Sequence, residues 1–186
     1  MTPRLRKFAL TAHVTSSVGW VGAVIAFLPL AIAGLTSQDA QLVRVAYLVM
    51  ELIGWYALVP LSFASLLTGL VISLGTTWGL FRHYWILIKL AITVVATIVL
   101  LTYMETLRFL AGVAADTTVS GADLRGLQTS SPVLHSGVGL LLLLVATALS
   151  VYKPRGVTRY GWRKQQQERR ALQRSKQDEQ RTVLQP

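Results

Sequence analysis

Four long hydrophobic segments constrain this chain more than any other feature of its sequence. They cover about residues 8–35, 42–74, 84–110 and 132–152. Roughly 20 apolar helical residues cross a bilayer core about 30 Å thick, so each segment is long enough to span it. The sequence therefore predicts an all-α, polytopic membrane protein whose membrane domain, residues 8–152, folds as a bundle of four transmembrane helices.

Composition narrows the class of protein further. The 186-residue chain is 53% hydrophobic, which is more than a soluble domain of this size can bury. It has no cysteine, which excludes a disulfide framework, a thiolate metal site and heme attached through C-x-x-C-H. The net charge of +10 lies mainly beside the apolar segments, so it indicates a lipid bilayer rather than nucleic acid as the partner.

The distribution of basic residues predicts the orientation. Residues 1–7, Arg82 and the tail at 153–186 are basic, and short basic segments stay on the cytoplasmic side. We therefore expect both termini in the cytoplasm and a multi-pass protein of the bacterial inner membrane. The tail opens with R-G-V-T-R-Y-G-W-R-K, which favours contact with anionic lipid headgroups. It continues as a polar segment that is either a solvated helix or disordered.

Two helix faces are predicted to pack against other helices. In the first segment small residues recur at spacings of three and four, which lets a neighbouring helix approach closely. This face consists of Ala12, Ser16, Gly19, Ala23 and Ala26. In the second segment an interior stripe consists of Glu51, Trp55, Leu58, Ser62, Ser65, Gly69 and Ile72. Pro60 lies near the middle of that segment, where we expect a kink or tilt.

Two ionisable residues lie inside the hydrophobic segments. His13 and Lys89 are each five residues from the start of their segment, at the same end of the bundle. Ionisable side chains at membrane depth are costly and mark functional sites by default. We therefore predict that the two side chains face one another roughly 7–9 Å from the cytoplasmic edge, with Lys89 as the candidate catalytic residue. The alternative for Lys89 is that its ammonium extends to the cytoplasmic headgroups.

His13 is also the candidate metal ligand, because a neutral imidazole is a common axial ligand of heme iron. Trp20 and Trp55 are the candidate walls of a porphyrin site. Both tryptophans also suit the aromatic belt found at membrane interfaces, which is the more ordinary interpretation. His135 is a poor second axial ligand because its height differs from that of His13 by roughly 15 Å.

A second polar cluster is predicted toward the outer edge, formed by Glu51, Glu105 and His135. Proton or ion movement through it needs a continuous polar path. The middle of the bundle offers only the hydroxyls of Ser62, Ser65, Thr93 and Thr97. A metal site from the same three residues is the other alternative, although no H-x-x-x-H spacing supports it.

The stretches T-G-L-V-I-S-L-G-T-T-W-G-L-F-R-H-Y-W-I-L-I-K-L and Y-K-P-R-G-V-T-R-Y-G-W-R-K resemble an uncharacterised group of bacterial four-helix integral membrane proteins. The chain is more distantly similar to HemJ-type protoporphyrinogen oxidases and CopD-type membrane proteins. In the HemJ type a first-helix histidine is followed by Trp, Gly and Leu-Pro. The matching residues are His13, Trp20, Gly22 and Leu28-Pro29.

In the same family a lysine opens the third helix, here Lys89. The resemblance implies heme b bound through His13, with Lys89 near a propionate or a porphyrin substrate. Leu30 stands where the HemJ type has an arginine, and the Tyr-His pair that follows is absent.

Three hypotheses of function follow. The first is a heme-b-binding membrane protein with redox or porphyrin chemistry. The second is a non-enzymatic membrane subunit, which packs through its small-residue face as a homo-oligomer or with a partner subunit and uses its basic tail. The third is a small ion or proton transporter.

Overall fold

The computed structural model describes residues 2–75, 81, 83–116, 118, 128–152, 154 and 156–184, and of 178–184 the backbone only. Its helices are α1 (Pro3–Thr36), α2 (Ala40–Ile53), α3 (Val59–Gly75), α4 (Tyr84–Ala115), α5 (Ser131–Tyr152) and α6 (Arg159–Leu184). A π-helical turn, Gly54–Leu58, joins α2 to α3. Among the described residues, four helical segments are long and apolar enough to cross a membrane: Pro3–Thr36, Ala40–Gly75, Tyr84–Ala115 and Ser131–Tyr152. The predicted all-α class is therefore confirmed, and so is the presence of four helical segments that could span a bilayer.

The four spans form a closed arrangement. Helices α1 and α4 each pack against the second span (Ala40–Gly75) and against α5, so they occupy opposite corners of the bundle. We call the end where α1 begins and α5 ends the terminal end, and the opposite one the loop end. The large buried side chains, among them Phe27, Tyr47, Met50 and Met104, form one apolar core toward the loop end.

The π-helical turn changes which residues of the second span face inward. The Val59 N–H closes the turn by donating to the Gly54 carbonyl. Val59 directly precedes Pro60, which has no N–H to donate. A π-helical turn inserts one extra residue, so the buried positions run through Met50, Gly54 and Leu58.

The predicted interior stripe of the second span is correct at Leu58, Ser62 and Ser65, which are buried, and wrong at Trp55, which is 37% exposed. The remaining members are half-buried: Glu51, Gly69 and Ile72. The small-residue face of α1 is correct in part. Ser16 is buried and Gly19 contacts Leu61 of α3, but Ala26 is exposed, because the buried side of α1 continues through Val24 and Phe27.

Polar contacts tie both ends of the bundle. At the loop end Gln128 Nε2 donates to the carbonyls of Gly34, at 3.1 Å, and Ser37, at 2.8 Å. Arg44 donates to the carbonyls of Ala114 and Asp116, and a cationic donor at a helix C-terminus satisfies the last carbonyls and complements the helix dipole.

At the terminal end the tail is fastened to the segment that precedes α4. His83 and Val157 form an antiparallel bridge, and the Thr158 hydroxyl donates to the Phe81 carbonyl. The same hydroxyl caps α6 by accepting the Gly161 N–H at 3.0 Å. The polar part of the tail, predicted as a solvated helix or as disordered, is thus helical, and its side chains up to residue 177 are mostly exposed. Arg82 lies outside the described residues.

We expect Gly54→Ala to destabilise the bundle, because a Cβ at this position would lie 2.7 Å from Sδ and Cε of Met104. Met104 and Leu107 are each 1% exposed, so the side chains have little room to move. Overpacking of this kind costs about 1–3 kcal/mol, and the midpoint of thermal unfolding in detergent should fall by several degrees. Gly112→Ala is the matched control, since nothing lies within 4 Å of its Cβ position. An equal fall in both variants would contradict the packing of Gly54.

Candidate functional site

The site is built on a contact between α1 and α4 across the bundle. Nε2 of His13 lies 3.2 Å from Nζ of Lys89. Both side chains are half-buried, and both lie toward the terminal end. The predicted approach of these two residues is therefore confirmed, and the alternative in which Lys89 extends to the headgroups is not the arrangement that the structure shows.

The other ring nitrogen of His13 identifies the tautomer. Nδ1 lies 3.1 Å from the Ser65 carbonyl and 3.1 Å from the Thr68 hydroxyl. A carbonyl only accepts, and the Thr68 hydroxyl already donates to the Ala64 carbonyl at 2.5 Å. Nδ1 therefore carries the proton, and in the neutral ring Nε2 presents its lone pair to Lys89.

Gly69 makes room for the imidazole against α3. A Cβ at Gly69 would lie 3.0 Å from Cε1 of His13, which is tighter than most side-chain contacts, so the ring would have to shift by a few tenths of an ångström. The neighbouring hydroxyls of Ser17 and Ser65 are 2.8 Å apart, and Ser16 donates to the His13 carbonyl at 3.1 Å. Helix α3 thus holds the ring from one side, and Lys89 meets it from the other.

No acidic side chain that the structure describes balances the charge at this site. Among the described residues, every hydrogen-bond partner of His13 other than Lys89 is a neutral group, and no carboxylate contacts Lys89. A lysine ammonium has three donors, of which one is directed to Nε2. A cation at membrane depth without a counter-ion is costly, so the site is suited to receive an anionic group.

The predicted porphyrin walls lie elsewhere. Trp20 is 3% exposed and lies seven residues along α1 from His13, roughly 10 Å at helical rise. Trp55 lies in the π-helical turn, where the guanidinium of Arg108 is 5.8 Å from its ring centroid. The structure therefore brings Lys89 to His13 and leaves both tryptophans away from this site.

The residues also decide how well His13 fits a heme iron. The Nδ1–H bonded to a backbone carbonyl is the usual second-shell arrangement of a metal-bound histidine. The lone pair of Nε2, however, faces Lys89 Nζ at 3.2 Å, and a metal bonded to Nε2 would take that same direction. As packed, the site does not fit an axial heme ligand, and it would do so only after Lys89 moved.

The predicted outer cluster is dispersed. His135 stacks on Tyr103, with ring centroids 4.0 Å apart, and its Nδ1 lies 2.9 Å from the Ser131 carbonyl. Glu105 is exposed and Glu51 is half-buried. In the described part of the chain no group of three or more His, Cys, Asp or Glu residues could hold a metal ion.

The hydroxyls in the middle of the bundle are used locally. Thr93 donates to the Lys89 carbonyl and Thr97 to the Thr93 carbonyl, at 2.9 and 2.8 Å, as threonines in apolar helices commonly do. Ser62 donates to the Val59 carbonyl at 2.7 Å. Of the four hydroxyls considered for a proton path, those of Ser62, Thr93 and Thr97 therefore donate to carbonyls of their own helix.

Sequence reasoning missed the groups that orient the imidazole. The Ser65 carbonyl belongs to the backbone and cannot be identified from a pattern of side chains. Thr68 directly precedes Gly69 of the predicted interior stripe but was not part of that stripe. Gly69 was on that stripe, but only as a small residue. Its pairing with His13 depends on the relative height of α1 and α3, which spacing within one helix does not give.

No protein-family model matches this chain, and neither a curated protein nor a solved structure is detectably similar to it. The family resemblances and the heme that they imply therefore stay predictions.

We expect Gly69→Ala to displace the His13 ring, since the new methyl group would press on Cε1. In protein labelled with ¹⁵N-histidine, the His13 resonances should indicate an Nδ1–H tautomer in the wild type and should shift in the variant. His83 and His135 provide internal references, and Gly22→Ala, which meets nothing within 4 Å, is the control. Unchanged His13 resonances in Gly69→Ala would contradict the contact.

Proposed function

We propose that this protein is a membrane-embedded binding protein that holds the anionic group of an amphipathic ligand on Lys89. Two observations support it. Lys89 Nζ contacts a neutral imidazole nitrogen, and no carboxylate among the described residues contacts Lys89. His13 is then a positioning residue: its ring, fixed by α3, accepts one N–H of Lys89 and orients the other two.

The surroundings strengthen such an interaction. Lys89 lies five residues into α4, so its ammonium is below the headgroup level and in a medium of low dielectric constant. Charge–charge attraction is several times stronger there than in water. A ligand anion would also remove the cost of an unpaired cation at this depth.

A porphyrin carboxylate is the ligand that the HemJ-type resemblance suggests. A porphyrin has a large apolar ring suited to the bilayer and two carboxylates suited to a lysine. The role proposed for Lys89 is that of carboxylate partner, as the resemblance implies for this position.

The direct test compares protoporphyrin IX with its dimethyl ester, which has no carboxylate. A charge-assisted hydrogen bond contributes about 1.5–3 kcal/mol, so the wild type should bind the diacid about 10- to 100-fold more tightly. Lys89→Met should remove that preference, and Lys89→Arg should keep much of it. Binding is measured by porphyrin fluorescence in detergent.

Arg108→Met is the control for this experiment, because Arg108 is an exposed cation of the same helix that lies near Trp55 instead of His13. Equal binding of diacid and ester by the wild type, or an equal loss in the Arg108 and Lys89 variants, would overturn the proposal.

Heme b at His13 is the second candidate: the Nδ1–H tautomer is the one that a metal-bound histidine uses, but Nε2 would be free for the iron only after Lys89 had moved away from it. A bound heme would supply reversible one-electron chemistry. After heme supplementation we expect a Soret band in the visible spectrum of the purified protein, and His13→Ala should shift or abolish it. The absence of a band would exclude this candidate, and an unchanged spectrum in His13→Ala would exclude His13 as the ligand.

We propose further that both termini are cytoplasmic and that α6 lies at the anionic inner leaflet of a bacterial inner membrane. Exposed Tyr160 and Trp162 sit among the basic residues at the start of α6, which suits a headgroup region. Since the chain has no cysteine, Ser37→Cys and Ser175→Cys each introduce one reactive thiol. An impermeant maleimide added to intact cells should label the first and spare the second, and the reverse pattern would invert the topology.

A further inference from the structure

One face of α6 is formed by arginines. At 3.6 residues per turn, four arginines of this helix fall within about 60° of one another around its axis, and all four side chains are exposed. They are Arg159, Arg163, Arg170 and Arg174. We call this face the arginine stripe, and at helical rise it is roughly 22 Å long.

The other charged side chains that the structure describes on α6 lie off the stripe. Lys164, Arg169 and Lys176 are each more than about 100° from its centre. Glu168, the only acidic residue between positions 159 and 177, is roughly 150° away. A signal that merely keeps the tail on one side of the membrane needs basic residues but no common face. The stripe is therefore a continuous cationic surface, which suits an extended anionic partner.

The start of α6 is held at the end of a membrane span. The Gly156 carbonyl accepts the N–H of Tyr84, the first residue of α4, at 3.4 Å. The Thr158 hydroxyl donates to the Phe81 carbonyl, and Arg159 follows directly. The stripe thus begins level with the first turn of α4, where the nearest anionic surface is the phosphate layer of the bilayer.

Two aromatic residues flank the stripe at this end. Tyr160 and Trp162 are 57% and 58% exposed and lie on either side of the stripe, about 70–90° from its centre. Both residue types are enriched at the headgroup level of membranes, and the planar guanidinium of arginine binds phosphate through two parallel hydrogen bonds. The combination matches lipid headgroups better than it matches an acidic protein.

We infer that α6 lies along the bilayer surface with the arginine stripe on the phosphates of anionic lipids. This inference rests on the proposed placement of α6 at an anionic leaflet, and it adds which face of the helix binds and how much of its length does so. If α6 projected straight away from the bilayer, Arg170 and Arg174 would be out of reach, because they lie roughly 16–22 Å farther along the helix than Arg159.

The full-length protein in lipid nanodiscs tests the inference. Because the chain has no cysteine, a fluorophore on Ser175→Cys, which is roughly 130° from the centre of the stripe, reports on the tail alone. Its quenching by a nitroxide carried on lipid headgroups measures how much of α6 is docked on the bilayer. Docking should be stronger in nanodiscs of phosphatidylcholine with phosphatidylglycerol than in phosphatidylcholine alone, and added salt should weaken it.

Two double variants remove the same charge from the same part of α6 but from different faces. Arg170→Gln with Arg174→Gln removes two charges of the stripe and should weaken docking on phosphatidylglycerol about 5-fold for each arginine. Arg169→Gln with Lys176→Gln removes two charges off the stripe and should leave most of the docking intact. All four side chains are exposed, so neither variant disturbs the packing of the bundle.

The outcomes separate this inference from the placement on which it rests. An equal loss of docking in the two double variants would overturn the role of the stripe and leave the placement of α6 at the leaflet standing. Wild-type docking that does not respond to phosphatidylglycerol would overturn the placement and the stripe together.

Discussion

The hydrogen bond between Lys89 and His13 connects two helices that otherwise occupy opposite corners of the bundle. Helix α3 sets the geometry of this bond. The Ser65 carbonyl and the Thr68 hydroxyl hold Nδ1 of His13, and Gly69 leaves space for the ring. The ring then fixes the ammonium at 3.2 Å from Nε2. A polar contact of this kind has no water to compete with it inside a membrane, where interhelical hydrogen bonds are a main source of specific packing.

This contact divides the interior into two chemically different halves. Toward the terminal end lie the imidazole, the ammonium and the buried hydroxyls of Ser16, Ser65 and Thr93. Toward the loop end lie the apolar core and the stacked rings of Tyr103 and His135. The polar chemistry of the interior is therefore concentrated at the terminal end, and the apolar packing at the loop end.

Much of the fold was predictable from the sequence because hydrophobic length alone identifies membrane spans. The contact between His13 and Lys89 was also predictable. The first and third segments run in the same direction, each residue lies five positions inside its segment, and both side chains avoid lipid. The inward face before Pro60 was not predictable, because the π-helical turn adds a residue and leaves Trp55 37% exposed. The positions of Trp20 and Trp55 relative to His13 were not predictable either, because aromatic residues in apolar helices have no periodicity that identifies their neighbours on other helices.

The most direct test of the central contact is a double-mutant cycle on His13→Ala and Lys89→Met, with the free energy of unfolding measured in one detergent or bicelle. If the two side chains are bonded as described, their effects should be non-additive by about 1–2 kcal/mol. His135→Ala combined with Lys89→Met, a pair at opposite ends of the bundle, should be additive within about 0.5 kcal/mol. Additivity of the His13 and Lys89 substitutions within the same limit would contradict the account.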